Sequence, residues 1–118
     1  MPGGRKFVRL DSRLHATYKV IGSDHTLRSL TRNVGGGGVA LFTKTRLAPG
    51  IIVQVKVKFP NREKPLTFTA EVIWSGPLIL EGKDIPPHAF ETGVRFLEVS
   101  PEDRAFILRY AERPPGAA

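Results

Sequence analysis

Three features of the chain predict a mainly β fold: a six-stranded antiparallel β-barrel with one C-terminal α-helix. Apolar residues alternate with polar ones at period two in several separate runs. The 12 glycines and 10 prolines favour short strands joined by turns over long helices. One amphipathic stretch with helical spacing follows the last alternating run. Closing such a sheet on itself removes its exposed edges.

The elements follow in order. His15 to Ile21 reads as a first strand, ended by Gly22-Ser23-Asp24. Leu27 to Val34 reads as a second, with Leu27, Ser29 and Thr31 on one face and Arg28, Leu30 and Arg32 on the other. A glycine run, Gly35 to Gly38, interrupts it, and Val39 to Phe42 resumes extended structure. Leu47-Ala48-Pro49-Gly50 is a turn. Ile51, Val53, Val55, Val57 and Phe59 then share one face, opposite Gln54, Lys56 and Lys58. Pro60 to Pro65 is a polar loop. Leu66, Phe68, Ala70, Val72 and Trp74 line the next inward face, which assigns Trp74 to the core. Gly76 to Pro87 is a long connection and Ala89 to Val99 the last strand. Ser100 caps the helix, Pro101 suits its first position, and Glu102 and Asp103 favour the positive end of its dipole. Phe106, Ile107 and Tyr110 form its apolar face, and Pro114-Pro115 stops it.

The 118 residues make one domain, with a core over about residues 5–112 and short flexible tails at both ends. There is no cysteine, which removes disulfides and thiolate chemistry. No apolar run approaches the ~20 residues of a membrane span, and no signal-like segment follows Met1. A cytoplasmic protein without membrane insertion is expected. Lys and Arg number 18 against 11 Asp and Glu, for a net charge of +7. Such a balance favours an anionic partner. Arg5, Lys6, Arg9 and Arg13 concentrate that charge beside the first strand.

Enzyme classes fare poorly. His15, His25 and His88 lack metal-ligand spacing, and no HExxH motif is present. The glycine run leads into Val39-Ala40, not the Gly-Lys-Ser/Thr of a phosphate-binding loop. No catalytic residue, metal or cofactor is expected.

Binding chemistry is better represented. Arg5 and Arg9 are four apart, so in an extended segment they point to one side, about 13 Å apart at ~3.3 Å per residue. An arginine fork meets O6 and N7 of guanine together, stacks on a base, or bridges phosphate oxygens. Asn33 both donates and accepts, so it reads a base edge or holds a turn. The glycines after it let backbone approach a ligand, with Gly38 expected to restart the strand after a bend. The combination suits an anion carrying flat hydrogen-bonding rings, which describes a guanine nucleotide.

On these residues the chain resembles the PilZ domain family, bacterial split-barrel proteins that bind cyclic di-GMP. Arg5-Lys6-Phe7-Val8-Arg9 is similar to the family's RxxxR motif. Asn33-Val34-Gly35-Gly36-Gly37-Gly38 is similar to its D/N-x-S-x-x-G motif at the first and last positions. Gly93 to Leu97 looks like its final strand, and Ser100-Pro101-Glu102-Asp103 leads into its C-terminal helix. The resemblance implies a stand-alone cyclic di-GMP receptor with a downstream protein partner. It implies ligand contacts at Arg5, Arg9, Asn33, Gly35 and Gly38, with Lys6 and Arg95 as secondary candidates. The motif serine is Gly35 here, and the lost hydrogen bond is worth on the order of 1.5–3 kcal/mol, or roughly tenfold or more in affinity. That departure supports an alternative, an interaction adaptor with weak or no nucleotide binding. A small basic barrel binding nucleic acid ranks behind both, because the aromatics fall mainly on core-facing positions. The Pro2-Gly3-Gly4 lead-in, with no apolar anchor before Phe7, suggests a segment that folds across its ligand.

Overall fold

A computed structural model of the chain describes residues 9–60, 62–77 and 90–112, the first three through their backbone. Among the described residues are seven strands and one helix: β1 (Arg9–Asp11), β2 (His15–Val20), β3 (Leu27–Gly35), β4 (Gly38–Thr43), β5 (Ile52–Val57), β6 (Leu66–Pro77), β7 (Phe90–Glu98) and α1 (Pro101–Glu112). Six of them close a ring in the order β3-β2-β5-β6-β7-β4, and β4 pairs back onto β3. All pairings are antiparallel. The predicted six-stranded barrel with a C-terminal helix is therefore the observed architecture.

β1 is an addition to that ring. β3 is long enough to host two partners along the same edge. β2 pairs with its Leu27–Leu30 half, and β1 with its Asn33–Gly35 end. Between them the Ser12 amide donates to the Arg32 carbonyl (3.1 Å) and the Thr31 amide to the Leu14 carbonyl (2.9 Å). Thr31 Oγ1 accepts from the Leu14 amide and donates to the Ser12 carbonyl, which stitches the break shut.

The inward positions predicted for β5 are buried: Val53, Val55, Val57 and the following Phe59. With Leu66, Phe68, Ala70, Val72, Val94 and Phe96 they form the barrel core. Two tight turns rest on glycine. Gly22 (φ +96°) follows β2, and Gly50 (φ +94°) completes the Ala48-Pro49-Gly50-Ile51 turn, whose Ile51 amide bonds the Ala48 carbonyl. β6 runs further than expected, to Pro77, with Gly76 and Pro77 still paired to Glu91 and Phe90. Proline then suits its end, since it has no N–H to offer the ladder.

The helix begins as its sequence dictates. Ser100 Oγ accepts the Asp103 amide at 3.1 Å, and the Ser100 carbonyl takes the first helical bond from Arg104. Ile107 and Tyr110 are buried, and Phe106 packs beside them. Phe59 receives both the Phe106 and Tyr110 rings edge-on, with centroids 5.1 and 4.9 Å away. Tyr110 also reaches the start of the chain, its hydroxyl 2.8 Å from Ser12 Oγ. No described helix is long and apolar enough to cross a membrane.

Candidate functional site

The glycine run is a hairpin. Gly35 pairs with Gly38, and Gly36-Gly37 form the two-residue loop between β3 and β4. The irregularity in this ladder falls earlier, between Thr31 and Asn33, so Asn33 sits at the bulge. Gly38 restarts the strand directly after this turn, as expected, and what demands glycine there is steric. A Cβ there would stand 2.0 Å from the Val94 carbonyl oxygen of β7.

The ladder registers place the motif elements in one line. Arg9 of β1 pairs with Gly35 of β3, Gly35 with Gly38 of β4, and Gly38 with Arg95 of β7. Arg95 in turn pairs with Glu71 of β6. Arg9 and Arg95 thus bracket the two glycines, about 14 Å apart over three strand spacings of ~4.8 Å. The span between them carries no side chain. Asn33 lies two rungs along, beyond Val34, opposite Asp11 of β1 and Ala40 of β4. Arg5 and Lys6 lie outside the described residues.

Arg95 is exposed and its guanidinium meets the Glu71 carboxylate at 2.5 Å. A second pair, Arg32 with Glu91 at 3.5 Å, lies nearby on β3 and β7. Arg13 stands 5.2 Å above the Phe42 ring and donates to the Arg32 carbonyl. The outer surface of β3, β4 and β7 is thus rich in guanidinium groups, two of them paired with Glu71 and Glu91. Among the described residues no three His, Asp or Glu gather as metal ligands.

Trp74 corrects the sequence reading. It is 45% exposed, not part of the core. A register shift between Val72 and Trp74 puts Ile73 and Trp74 both outward, and returns Ser75 inward beside Thr92. The Trp74 indole lies across Gly93, where a Cβ would come within 2.3 Å of its Nε1. Gly93 is two residues before Arg95 on the same strand face, about 7 Å along β7. An exposed aromatic plane therefore flanks the line of arginines and glycines. The signal was in the sequence: Val72-Ile73-Trp74 is an apolar triplet that breaks alternation.

The PilZ domain profile matches residues 4–113. The chain belongs to the PilZ domain family. Several solved structures share its fold. Bacillus subtilis MotI/DgrA, an inhibitor of motility, aligns at 19% identity and TM-score 0.72, over 92% of this chain and 50% of that one. The PilZ domain of YcgR from Escherichia coli, solved with c-di-GMP, aligns at 21% identity and TM-score 0.71, over 93% of this chain and 92% of that one. MrkH, described as a c-di-GMP-dependent transcription regulatory factor, aligns at 14% identity and TM-score 0.72, over 87% of this chain and 47% of that one. The chain thus spans about half the length of MotI/DgrA and MrkH, and nearly all of the YcgR PilZ domain. No curated protein matches it.

Proposed function

We propose that this PilZ domain is a receptor for cyclic di-GMP, and that it binds the nucleotide on the outer face of β3, β4 and β7. The observation that carries the reading is the register Arg9–Gly35–Gly38–Arg95, which joins residues of both sequence motifs in one line. Guanidinium groups at its ends suit phosphate oxygens and guanine edges. The bare backbone between them gives a ring system room to lie close. Trp74 adds a plane on which a base can stack. In this reading Arg5, Arg9, Asn33, Gly35 and Gly38 touch the ligand, with Lys6, Arg95 and Trp74 at its margin. The RxxxR segment orders over the bound nucleotide and so changes the surface offered to a protein partner. The c-di-GMP-bound YcgR domain of similar fold supports the choice of ligand.

Gly35 favours a second reading, an adaptor in which nucleotide binding is weak or lost. Titration calorimetry separates the two. Wild type is expected to bind cyclic di-GMP, Arg5→Ala and Arg9→Ala to lose at least tenfold in affinity, Trp74→Ala to lose less, and Gly35→Ser to gain. No heat of binding in wild type or in Gly35→Ser would leave the adaptor reading standing. Equal affinity in the arginine variants would remove the site as described.

A further inference from the structure

The closed ring has a second outer face, away from β4 and β7, which the proposed nucleotide site does not use. On β2, β3 and β5 the outward residues form a shallow groove of about 270 Å³. Arg28, Thr17 and Lys56 stand side by side across it, because Thr17 pairs with Arg28 on one flank and Lys56 on the other. Two residues along, His15 and Lys58 follow, joined through the Lys58 amide and the His15 carbonyl. Among the described residues no acid lines the groove, and β2, β3 and β5 contain none. The described ion pairs use Arg32, Arg62 and Arg95, leaving Arg28 and Lys56 with no carboxylate. Lys58 holds its ammonium against the Arg62 carbonyl, which fixes it at the groove's end without neutralising it.

We propose that this groove is a docking site for the phosphodiester backbone of duplex nucleic acid, read without regard to sequence. Three fixed-charge side chains line one concavity: Arg28 and Lys56 lie about 10 Å apart across two strand spacings, and Lys58 about 7 Å further on, just past the end of β5. Thr17 supplies a hydroxyl donor between them. Among the described residues no Phe, Tyr or Trp lines the groove, and His15 is its one flat ring, which favours the phosphates of a duplex over a run of unstacked bases. The +7 net charge supplies long-range attraction for the same partner. Counterion release then sets the salt dependence. Three phosphate contacts predict a log–log slope near −3, at about −0.9 per contact.

The test is fluorescence anisotropy of a labelled duplex of about 20 base pairs and arbitrary sequence, titrated at several salt concentrations from 50 to 200 mM. No cyclic di-GMP is added, so failure here is distinct from failure of the nucleotide site. Wild type is expected to bind with a slope near −3. R28Q/K56Q, with an unchanged melting temperature, is expected to bind at least tenfold more weakly with a slope near −1. R109Q, a cation lost from the exposed side of α1, is expected to behave as wild type. Equal losses in R28Q/K56Q and R109Q would overturn the proposal, because they would reduce it to net charge. Tighter binding to poly-glutamate than to the duplex would overturn it too, by assigning the groove to an acidic polypeptide.

Discussion

At the scale of single residues, Gly38 is where one added carbon is expected to matter most. Its Cβ would overlap the Val94 carbonyl at 2.0 Å, and backbone in a closed ring has little room to retreat. Gly38→Ala is expected to cost about 1–3 kcal/mol by overpacking, read as a lower denaturant midpoint at unchanged slope. Gly22, exposed in a turn with nothing near its Cβ position, is a control of a different kind, strained by its φ alone. Tyr18 gives a pH signature. Burial pushes its phenol above the usual 10.0, and the Lys44 amide bonded to its oxygen pulls partly back. The folded state therefore holds the proton more tightly than the unfolded one. Its contribution is fully present below pH 10 and is lost as pH rises through the folded value. Thermal melts from pH 8 to 11 are expected to fall at the alkaline end, and less steeply in Tyr18→Phe.

Residue-level legibility was uneven for a physical reason. Alternation identified Val53, Val55, Val57 and Phe59 as core because β5 pairs without interruption. The same rule misassigned Trp74, because one extra residue in β6 shifts the phase and only the partner strand reveals it. The steric demand at Gly38 was equally hidden, since the atom that excludes a side chain belongs to Val94, far along the chain.

At the scale of elements, all six ring strands and the helix were legible, together with the helix's capping serine. Each carries its own pattern, or its own cap as Ser100 does. β1 was not, because three residues are too few to show a period. What places β1 is the Asn33–Gly35 end of β3, a long-range pairing that sequence spacing does not encode. The same region ties the helix to the chain's start through Ser12 and Tyr110. Tyr110→Phe is expected to leave Ser12 Oγ without this partner and to cost about 1 kcal/mol. Amide exchange at Ser12 and Leu14 is the direct readout, and it should quicken in the variant while the central strands stay protected.

At the scale of the whole molecule, the barrel separates two outer surfaces of different character. One carries arginines, glycines and an exposed tryptophan around the hairpin; the other carries unpaired cations around a groove. A ligand held across four strands stabilises the ring as a unit, by mass action on the folded state. Cyclic di-GMP at about a hundred times its dissociation constant should add about 2.7 kcal/mol. Scanning calorimetry is expected to show a rise of roughly 10 °C, taking about 4 °C per kcal/mol at this size. Arg9→Ala should melt at the wild-type temperature without ligand and show about half the wild-type rise or less when it is added.

Because the ring closes without β1, the stretch bearing Arg9 behaves as a latch on a finished vessel. Every strand of the vessel already has two neighbours, so releasing the latch opens no seam. Its residues are thereby freed from the duty of holding the fold. If the proposed receptor reading holds, substitutions there are expected to alter how firmly the guest is gripped while the container stays the same.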